Sequence, residues 1–548
     1  MERSPALMLD PECPGGNFCR VKWLNAHPKW ALSIAVFLAL GPFVAKPFNM
    51  DDPLFIWAAR QIHLHPANPY GFAVNWYGTE SPMWDVMQNP PLAAYYIALA
   101  ASVAGWGECS LHAAMLLPAL AVILGTHRLA KQFCERPLFA ALITLFAPVF
   151  LVSATTIMCD VMMLAFWIWA MVFWVEGVNG DKGKLLAGAG VLVALAAVTK
   201  YFGACLIPLL AVYAGLSKRP LRRWAAALLI PLLALGAWQW TARFLYQHEL
   251  LFTAVNYAGR LSGFFGGEHA AAGLTALAFT GGGVAAVVFF APLAWRGRHI
   301  LMAIIAATLT AFALYQKYRW IEGGVRVAMQ VQTVFWAAGG LLVLALAVAD
   351  IRLHRDAQSW LLGLWVIGTF AFAAMFNWTI NGRSVLPLAP AVGILLVRRL
   401  QSRQASGRQL LIPLAASALL TLAVTCSDFL LAGAVRQSAM QTYERFGQGK
   451  QTLWFQGHWG FQYYLSELGG KPLDSQHSKP APGDFLAVPL NNTNQRYPNS
   501  PRERISAGGP RFLADMNMYI GAGFYTSQGG PLPFAFGDVP PEDVMVFK

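Results

Sequence analysis

Apolar runs long enough to cross a bilayer recur from Ala31 to Cys426, and no other feature limits the possible folds of this chain so sharply. A run of this kind predicts a membrane-spanning helix. Candidate spans lie at 31–45, 111–126, 137–153, 161–176, 185–199, 202–216, 224–241, 273–293, 299–315, 331–348, 359–376, 384–397 and 409–427, about thirteen crossings in all. The composition agrees: 57% of the 548 residues are apolar and 12% charged, against about 45–50% and about 25% in soluble proteins. A soluble enzyme is excluded, and the expected fold is an all-α polytopic membrane protein.

The formal net charge of +13 matters less than where the basic residues fall. Arg128, Lys131 and Arg136, then Lys218, Arg219, Arg222 and Arg223, then Arg296 and Arg298, and finally Arg398, Arg399, Arg403 and Arg408 all occupy short connectors. This positive-inside pattern places those connectors in the cytoplasm. The tail 1–29, with Arg20, Lys22 and Lys29, belongs on the same side, so the first run inserts with its amino end inside. Phe43-Val44-Ala45 is a poor cleavage site, which makes that run an uncleaved span. Counting Pro90 to Trp106 as a full span would reverse the sidedness of the tail or of every later connector, so it is expected to lie on or dip into the outer face. The segments 46–110, 154–160, 242–272, 316–330 and 377–383 then face outward with the carboxyl terminus. An integral plasma-membrane location is expected, with membrane lipids as neighbours. No aromatic-interleaved basic stripe suggests a nucleic-acid partner. The seven cysteines are scattered and end at Cys426, which argues against a disulfide framework or a zinc knuckle; Cys13 and Cys19 read as free thiols.

After Ser427 the long apolar runs give way to Gly, Pro, Asn and short alternating segments. Residues 428–548 suffice for one small α/β domain on the outer face. Trp454-Phe455, Phe461 to Leu465 and Phe485 to Val488 read as short strands or helices between proline-marked loops.

Ionisable groups are costly near a bilayer and tend to mark function. The first outer segment, 46–110, opens with Asn49-Met50-Asp51-Asp52-Pro53 and continues through Tyr70, Asn75, Trp76, Glu80, Trp84, Asp85 and Asn89. Aromatic faces and amides around carboxylates suit a sugar-binding cleft. Asp51 and Asp52 can act as general base and orienting partner, or they can cap the apolar helix that follows; both roles are compatible. Asp160 is either a second site acid or a helix cap. Lys200 either snorkels or holds an anionic headgroup. Arg243, Arg260, Lys317, Arg319, Arg326 and Arg383 are further outward cations able to bind a lipid phosphate. His63 and His65 are too weak a motif to define a metal site. With no Walker signature, an ATP-driven pump is disfavoured.

Taken together, Asp51-Asp52 after the first span, Asn89-Pro90-Pro91-Leu92 leading to Tyr95-Tyr96, Asp160, Thr199-Lys200-Tyr201, and Gly382-Arg383 with Leu386-Pro387 resemble the polytopic GT-C glycosyltransferases. The likeness is to the family 39, protein-mannosyltransferase-like bacterial branch, which includes the lipid A aminoarabinose transferases, and covers roughly Ala31 to Leu400. The resemblance implies transfer of a sugar from a polyprenyl-phosphate donor to an outer lipid, glycan or protein acceptor, with inversion at the anomeric carbon. It implies juxtamembrane helices in the first outer loop and, in some members, a divalent metal ion. Carried over by position, Asp51 is the leading acid, Asp52 its partner and Asp160 the second-loop acid. Lys200 and Arg383 become donor-phosphate ligands, with Arg260, Arg319, Asn89 and Tyr95 as further substrate contacts. Many relatives have Asp-Glu where this chain has Asp51-Asp52, and a basic residue where it has Asn89. The segment Gly457 to Tyr464 is expected to border the cleft or to form an aromatic core. A transporter or flippase of a lipid-linked sugar is the rival reading; against it, the spans are almost free of charge and no half-repeat is visible.

Overall fold

The computed structural model describes residues 27–261, 269–317, 323–377, 379–493, 495 and 501–548. Cys13, Cys19, Arg319 and the tail before residue 27 lie outside them, and the side chains of Arg260 and Lys317 are likewise not described.

Each expected span falls on helix. Seven helices are long and apolar enough to cross a membrane, and an eighth is added if the bent pair Pro137–Leu145 and Pro148–Ala154 counts as one. The 62° bend has a local cause, because Ala147 before Pro148 is forced into extended backbone, at φ −92° and ψ 126°. By this measure the count is below the expected thirteen or so, since several expected spans are shorter helices or are interrupted. The run 273–293 is the clearest case: Gly281-Gly282-Gly283 and Pro292 divide it into His269–Gly283, Ala286–Phe289 and Ala291–Ala294. Leu92–Ala104 has 13 residues, about 20 Å of helix, too short for a hydrocarbon core of about 30 Å. It packs on the Asp52–Leu64 helix and on the Glu108–Ala130 helix.

Small residues bring two of the spans together. A Cβ on Gly281 would lie 1.9 Å from the carbonyl oxygen of Trp336, and one on Gly340 would lie 2.1 Å from that of Leu277. The His269–Gly283 and Gly323–His354 helices thus touch backbone to backbone, the packing that lipid-embedded helices favour.

The two ends of the bundle are chemically distinct. At one end the basic connectors contact neighbouring turns: Arg136 donates to the Ala405 carbonyl at 2.8 Å, Arg398 pairs with Asp350 at 3.0 Å, and Arg128 pairs with Glu176 at 2.7 Å. The other end carries the 46–110 segment and the carboxyl-terminal domain. The last span does not stop near residue 427, where the sequence suggests a boundary. Its helix, Leu411–Phe446, runs 36 residues, about 54 Å, and its final turns enter the domain core.

That core has a five-stranded mixed sheet in the order Lys471–Pro472, Leu453–Phe455, Phe485–Pro489, Glu542–Phe547, Glu503–Ala507. Leu453, Phe455, Ile505, Val544 and Val546 pack with Phe461 and Leu465 of the Trp459–Leu468 helix and with Ala439 and Phe446 of the long span. The α/β expectation holds. Residues 511–540 fold back over the bundle: Gly382 N–H donates to the Phe524 carbonyl at 2.6 Å, and Ser527 N–H donates to that of Ile380 at 2.8 Å.

Replacing Gly340 by Val should force the crossing helices apart and cost about 1–3 kcal/mol, read as a lower apparent Tm in detergent. Gly368, inside the Ala357–Ala371 helix with nothing within 4 Å of an added Cβ, should accept Ala with no loss of stability.

Candidate active site

One short segment gathers the charged residues. Between Ala154, where one helix ends, and Cys159, where the next begins, the chain turns through Thr155 to Met158. Ile157 N–H donates to Asp52 Oδ1 at 2.8 Å, Arg383 Nη1 contacts Met158 Sδ at 2.9 Å, and Lys200 Nζ pairs with Asp160 Oδ1 at 2.6 Å. Asp160 lies in the first helical turn rather than at the N-cap, which is Met158. Lys200 therefore has an acid partner, which a merely snorkelling lysine would lack.

Asp51 forms the other ion pair, with Arg383 Nη2 at 2.7 Å, and its side chain retains 27% of its exposure. It occupies the N-cap of the Asp52–Leu64 helix but makes no capping hydrogen bond. Met50, just before it, is buried at φ +50°, a conformation a non-glycine residue adopts only when its surroundings impose it. Arg383 is held by its short helix, where Asn381 and Ser384 form a capping box, and it lies 5.9 Å from the Tyr525 ring centroid. Its Nε and Asp160 Oδ2 are buried without a hydrogen-bond partner. The site thus sets two acids against two cations and leaves one donor, Arg383 Nε, and one acceptor, Asp160 Oδ2, unpaired.

Asp52 has a different environment from Asp51. It is fully buried, with Oδ2 accepting from Asn49 N–H at 3.1 Å and Oδ1 from Ile157 N–H. Burial pushes its carboxyl up to about 6, although Lys46 and the two backbone donors oppose the shift. Beneath it, the buried Lys46 pairs with Asp428, and Tyr525 donates its hydroxyl to Asp428 Oδ1 at 3.1 Å. Asp515 is also buried close by, and burial beside Asp428 pushes its carboxyl well above the ordinary range. Asp52 therefore joins the first loop to the 155–158 turn.

Other expected contacts are placed elsewhere or not described. The Asn89 carbonyl accepts from Tyr70 at 2.7 Å, and Tyr95 donates to the Pro66 carbonyl at 2.5 Å, so these groups brace the loop. Arg260 lies on the Leu250–Leu261 helix, its side chain outside the described set, and Arg319 is outside the described residues. His63 Nδ1 contacts Ser102 Oγ at 3.2 Å. Among the described residues no three His, Cys, Asp or Glu side chains converge as a metal-binding group. With Asp51 paired to Arg383 and Asp160 to Lys200, a divalent ion would meet two cations, so this donor set does not fit one.

The carboxyl-terminal domain completes the surroundings. Phe48 N–H donates to Tyr464 Oη at 2.8 Å and Gly460 N–H to Asn49 Oδ1 at 3.3 Å. A Cβ at Gly460 would lie 2.5 Å from the Phe48 carbonyl oxygen, so the contact requires glycine. His458 stacks on Trp76 with centroids 5.0 Å apart, and burial pushes its imidazole down to about 4, leaving it neutral near pH 7. The 457–464 segment is packed aromatic structure that also touches Phe48 and Asn49, just before Asp51. Sequence reasoning missed Lys46, Asp428, Asp515 and Tyr525. For Asp428 the chain does carry a signal, an acid followed at once by the apolar Phe429 to Ala432, which fits a continuing span better than its end.

Residues 88–241 match the family described as dolichyl-phosphate-mannose-protein mannosyltransferase. No curated protein matches the chain. Among solved structures it is similar to ArnT from Cupriavidus metallidurans bound to undecaprenyl phosphate, with 13% identity and a TM-score of 0.43 over 86% of this chain and 93% of that one. It is also similar to an Archaeoglobus fulgidus oligosaccharyltransferase tethered with an acceptor peptide, at 12% identity and a TM-score of 0.47 over 83% of this chain and 65% of that one. Arabinofuranosyltransferase AftD from Mycobacteria aligns at 13% identity and a TM-score of 0.37, over 96% of this chain and 40% of that one. The family match includes Asp160 and Lys200 and stops short of Asp51 and Arg383 on either side. Over residues 88–241 this chain is similar to the protein-mannosyltransferase family, in agreement with the GT-C resemblance carried by its motifs.

Proposed function

We propose that this chain is an integral-membrane glycosyltransferase that moves a sugar from a polyprenyl-phosphate donor to an acceptor on the outer face of a bacterial plasma membrane. The observation that carries the reading is the paired arrangement of Asp51 with Arg383 and Asp160 with Lys200 around one turn, with Asp51 the accessible acid. The family similarity supports a sugar carried on a lipid phosphate. The segregation of basic connectors to the opposite end supports an outward-facing site.

The step is a single displacement. An acceptor hydroxyl or amine attacks the anomeric carbon while Asp51 takes its proton, and the bond from that carbon to the phosphate oxygen breaks. The lipid phosphate leaves with the electron pair. Arg383 and Lys200 donate charge-assisted hydrogen bonds to its oxygens, the role that a metal would otherwise fill. Asp160 holds Lys200, and Asp52 fixes the turn that presents both. The acceptor is a lipid, glycan or protein of the envelope.

The test is turnover of a panel of polyprenyl-phosphate sugars by the purified protein in nanodiscs, with envelope extract as acceptor. Asp51→Asn should lower kcat by about 10²–10⁴ while donor binding persists. Lys200→Ala should cost about 1.5–3 kcal/mol in kcat/KM, mainly through donor affinity. If no donor turns over and a lipid-linked sugar is instead translocated, indifferent to Asp51→Asn, the transporter reading replaces this one.

Asp52→Asn should lower kcat with little change in donor KM, and it carries a second signature. Between about pH 3.8 and about 6 the folded chain keeps a proton on Asp52 that the unfolded chain has released. This group therefore lowers stability as pH rises through that window. The apparent Tm of Asp52→Asn relative to wild type should move in the variant's favour from pH 4 to pH 7; a constant difference would show that the carboxyl does not titrate there.

A further inference from the structure

A second cleft, of about 720 Å³, lies where the Asp52–Leu64 helix and the Ala73–Asn75/Glu80–Pro82 hairpin meet the carboxyl-terminal domain. Trp57, Phe72 and Trp454 contribute partly buried rings to its lining, and Asn75, Gln462 and Glu80 contribute polar groups. We propose that this cleft binds the saccharide portion of a multi-sugar acceptor, leaving the reactive hydroxyl at Asp51. The proposal rests on the transferase reading and adds to it the chemical class of the acceptor.

Three observations carry it. First, the lining combines what a sugar ring uses, flat apolar faces for its C–H surface and amide and carboxylate partners for its hydroxyls. Gln462 is buried, its Nε2 donates to the Asn75 carbonyl at 2.6 Å, and its Oε1 has no hydrogen-bond partner. Trp454 is held by an Nε1 bond to Asp484 at 2.9 Å, and Trp57 lies edge-on to Trp76 with centroids 6.1 Å apart. These side chains are held by contacts within the protein.

Second, the cleft is in line with the acid site. The helix that opens at Asp52 presents Trp57 to Leu64 along the cleft, roughly 8 to 18 Å farther along its axis. The Trp459–Leu468 helix does the same, touching Asn49 through Gly460 and lining the cleft through Gln462 and Ser466. A monosaccharide at Asp51 would not span that distance, whereas a chain of sugars would.

Third, the charges and backbone select against other ligands. The cations here are already matched, Arg60 by Glu467 at 2.6 Å and His477 by Asp474 at 3.0 Å, while Glu80 and Lys479 balance one another in sign. A polyanion gains little from such a surface. The sheet edge beside the cleft is only Lys471–Pro472, and Pro472 lacks an N–H, so a peptide could not add as a further strand. Asn75, Glu80, Gln462, Asp474 and Lys479 make the lining too polar to suit a polyprenyl chain.

The test is saturation-transfer NMR on the full-length protein in nanodiscs, with soluble oligosaccharides of two to five sugars, neutral and anionic, and an unstructured peptide as probes. Neutral oligosaccharides should bind, and Trp454→Ala should weaken them about tenfold or more. Ser466→Trp, which projects a bulky ring into the cleft, should do the same. Binding should persist in Asp51→Asn. No oligosaccharide binding, binding indifferent to both cleft variants, or preferential binding of the peptide or the anionic chains would overturn the proposal. Turnover separates the two readings: with a donor consumed, a monosaccharide acceptor as efficient as the oligosaccharides sinks the cleft and leaves the transferase. Trp454-dependent binding with no donor consumed does the reverse.

Discussion

The carboxylate of Asp52 ties together elements from distant parts of the chain. It is buried and accepts N–H groups from Asn49 and Ile157, above a buried ion pair between Lys46 and Asp428. Buried carboxylates are tolerated only when hydrogen-bonded or paired. That requirement brings together the end of the first span, the 155–158 turn and the last span. Asp51 and Asp160 lie close in sequence to groups held by this joint, Arg383 touches Met158 and the Tyr525 ring beside it, and Lys200 pairs with Asp160.

The two adjacent aspartates divide the work by environment. Asp51 stays partly open and faces Arg383, so it can meet a substrate, whereas Asp52 has every oxygen engaged inside the protein. The positive φ of Met50 marks a sharp turn of the backbone immediately before the two acids. Strain of this kind persists only where packing on all sides imposes it. Here the packing comes from the carboxyl-terminal domain, through Gly460 against Phe48 and Tyr464 on the Phe48 N–H.

That domain is therefore structurally continuous with the membrane part. The long final helix carries its core, Asp428 on that helix holds Lys46, and Tyr525 lies between Asp428 and Arg383. Aromatic and amide groups of the first loop and of the domain also line a common cleft. The loop and the domain act as one surface.

Much of this was legible from the chain alone. Run lengths of apolar residues dictate helices in lipid, because backbone groups there have no other partners, and every expected span is helical. The basic connectors and the acids between apolar runs are local features, so Asp51, Asp160, Lys200 and Arg383 could be singled out individually. Which acid faces which cation could not, since those pairs bridge residues separated by 40 positions for Asp160 and Lys200 and by several hundred for Asp51 and Arg383. The distinction between Asp51 and Asp52 was likewise hidden, because adjacent residues of one type differ only in what tertiary packing places around them. The apolar pattern determined the membrane architecture and the location of the acids; burial, which depends on every element at once, decided which acid is accessible and which is held inside.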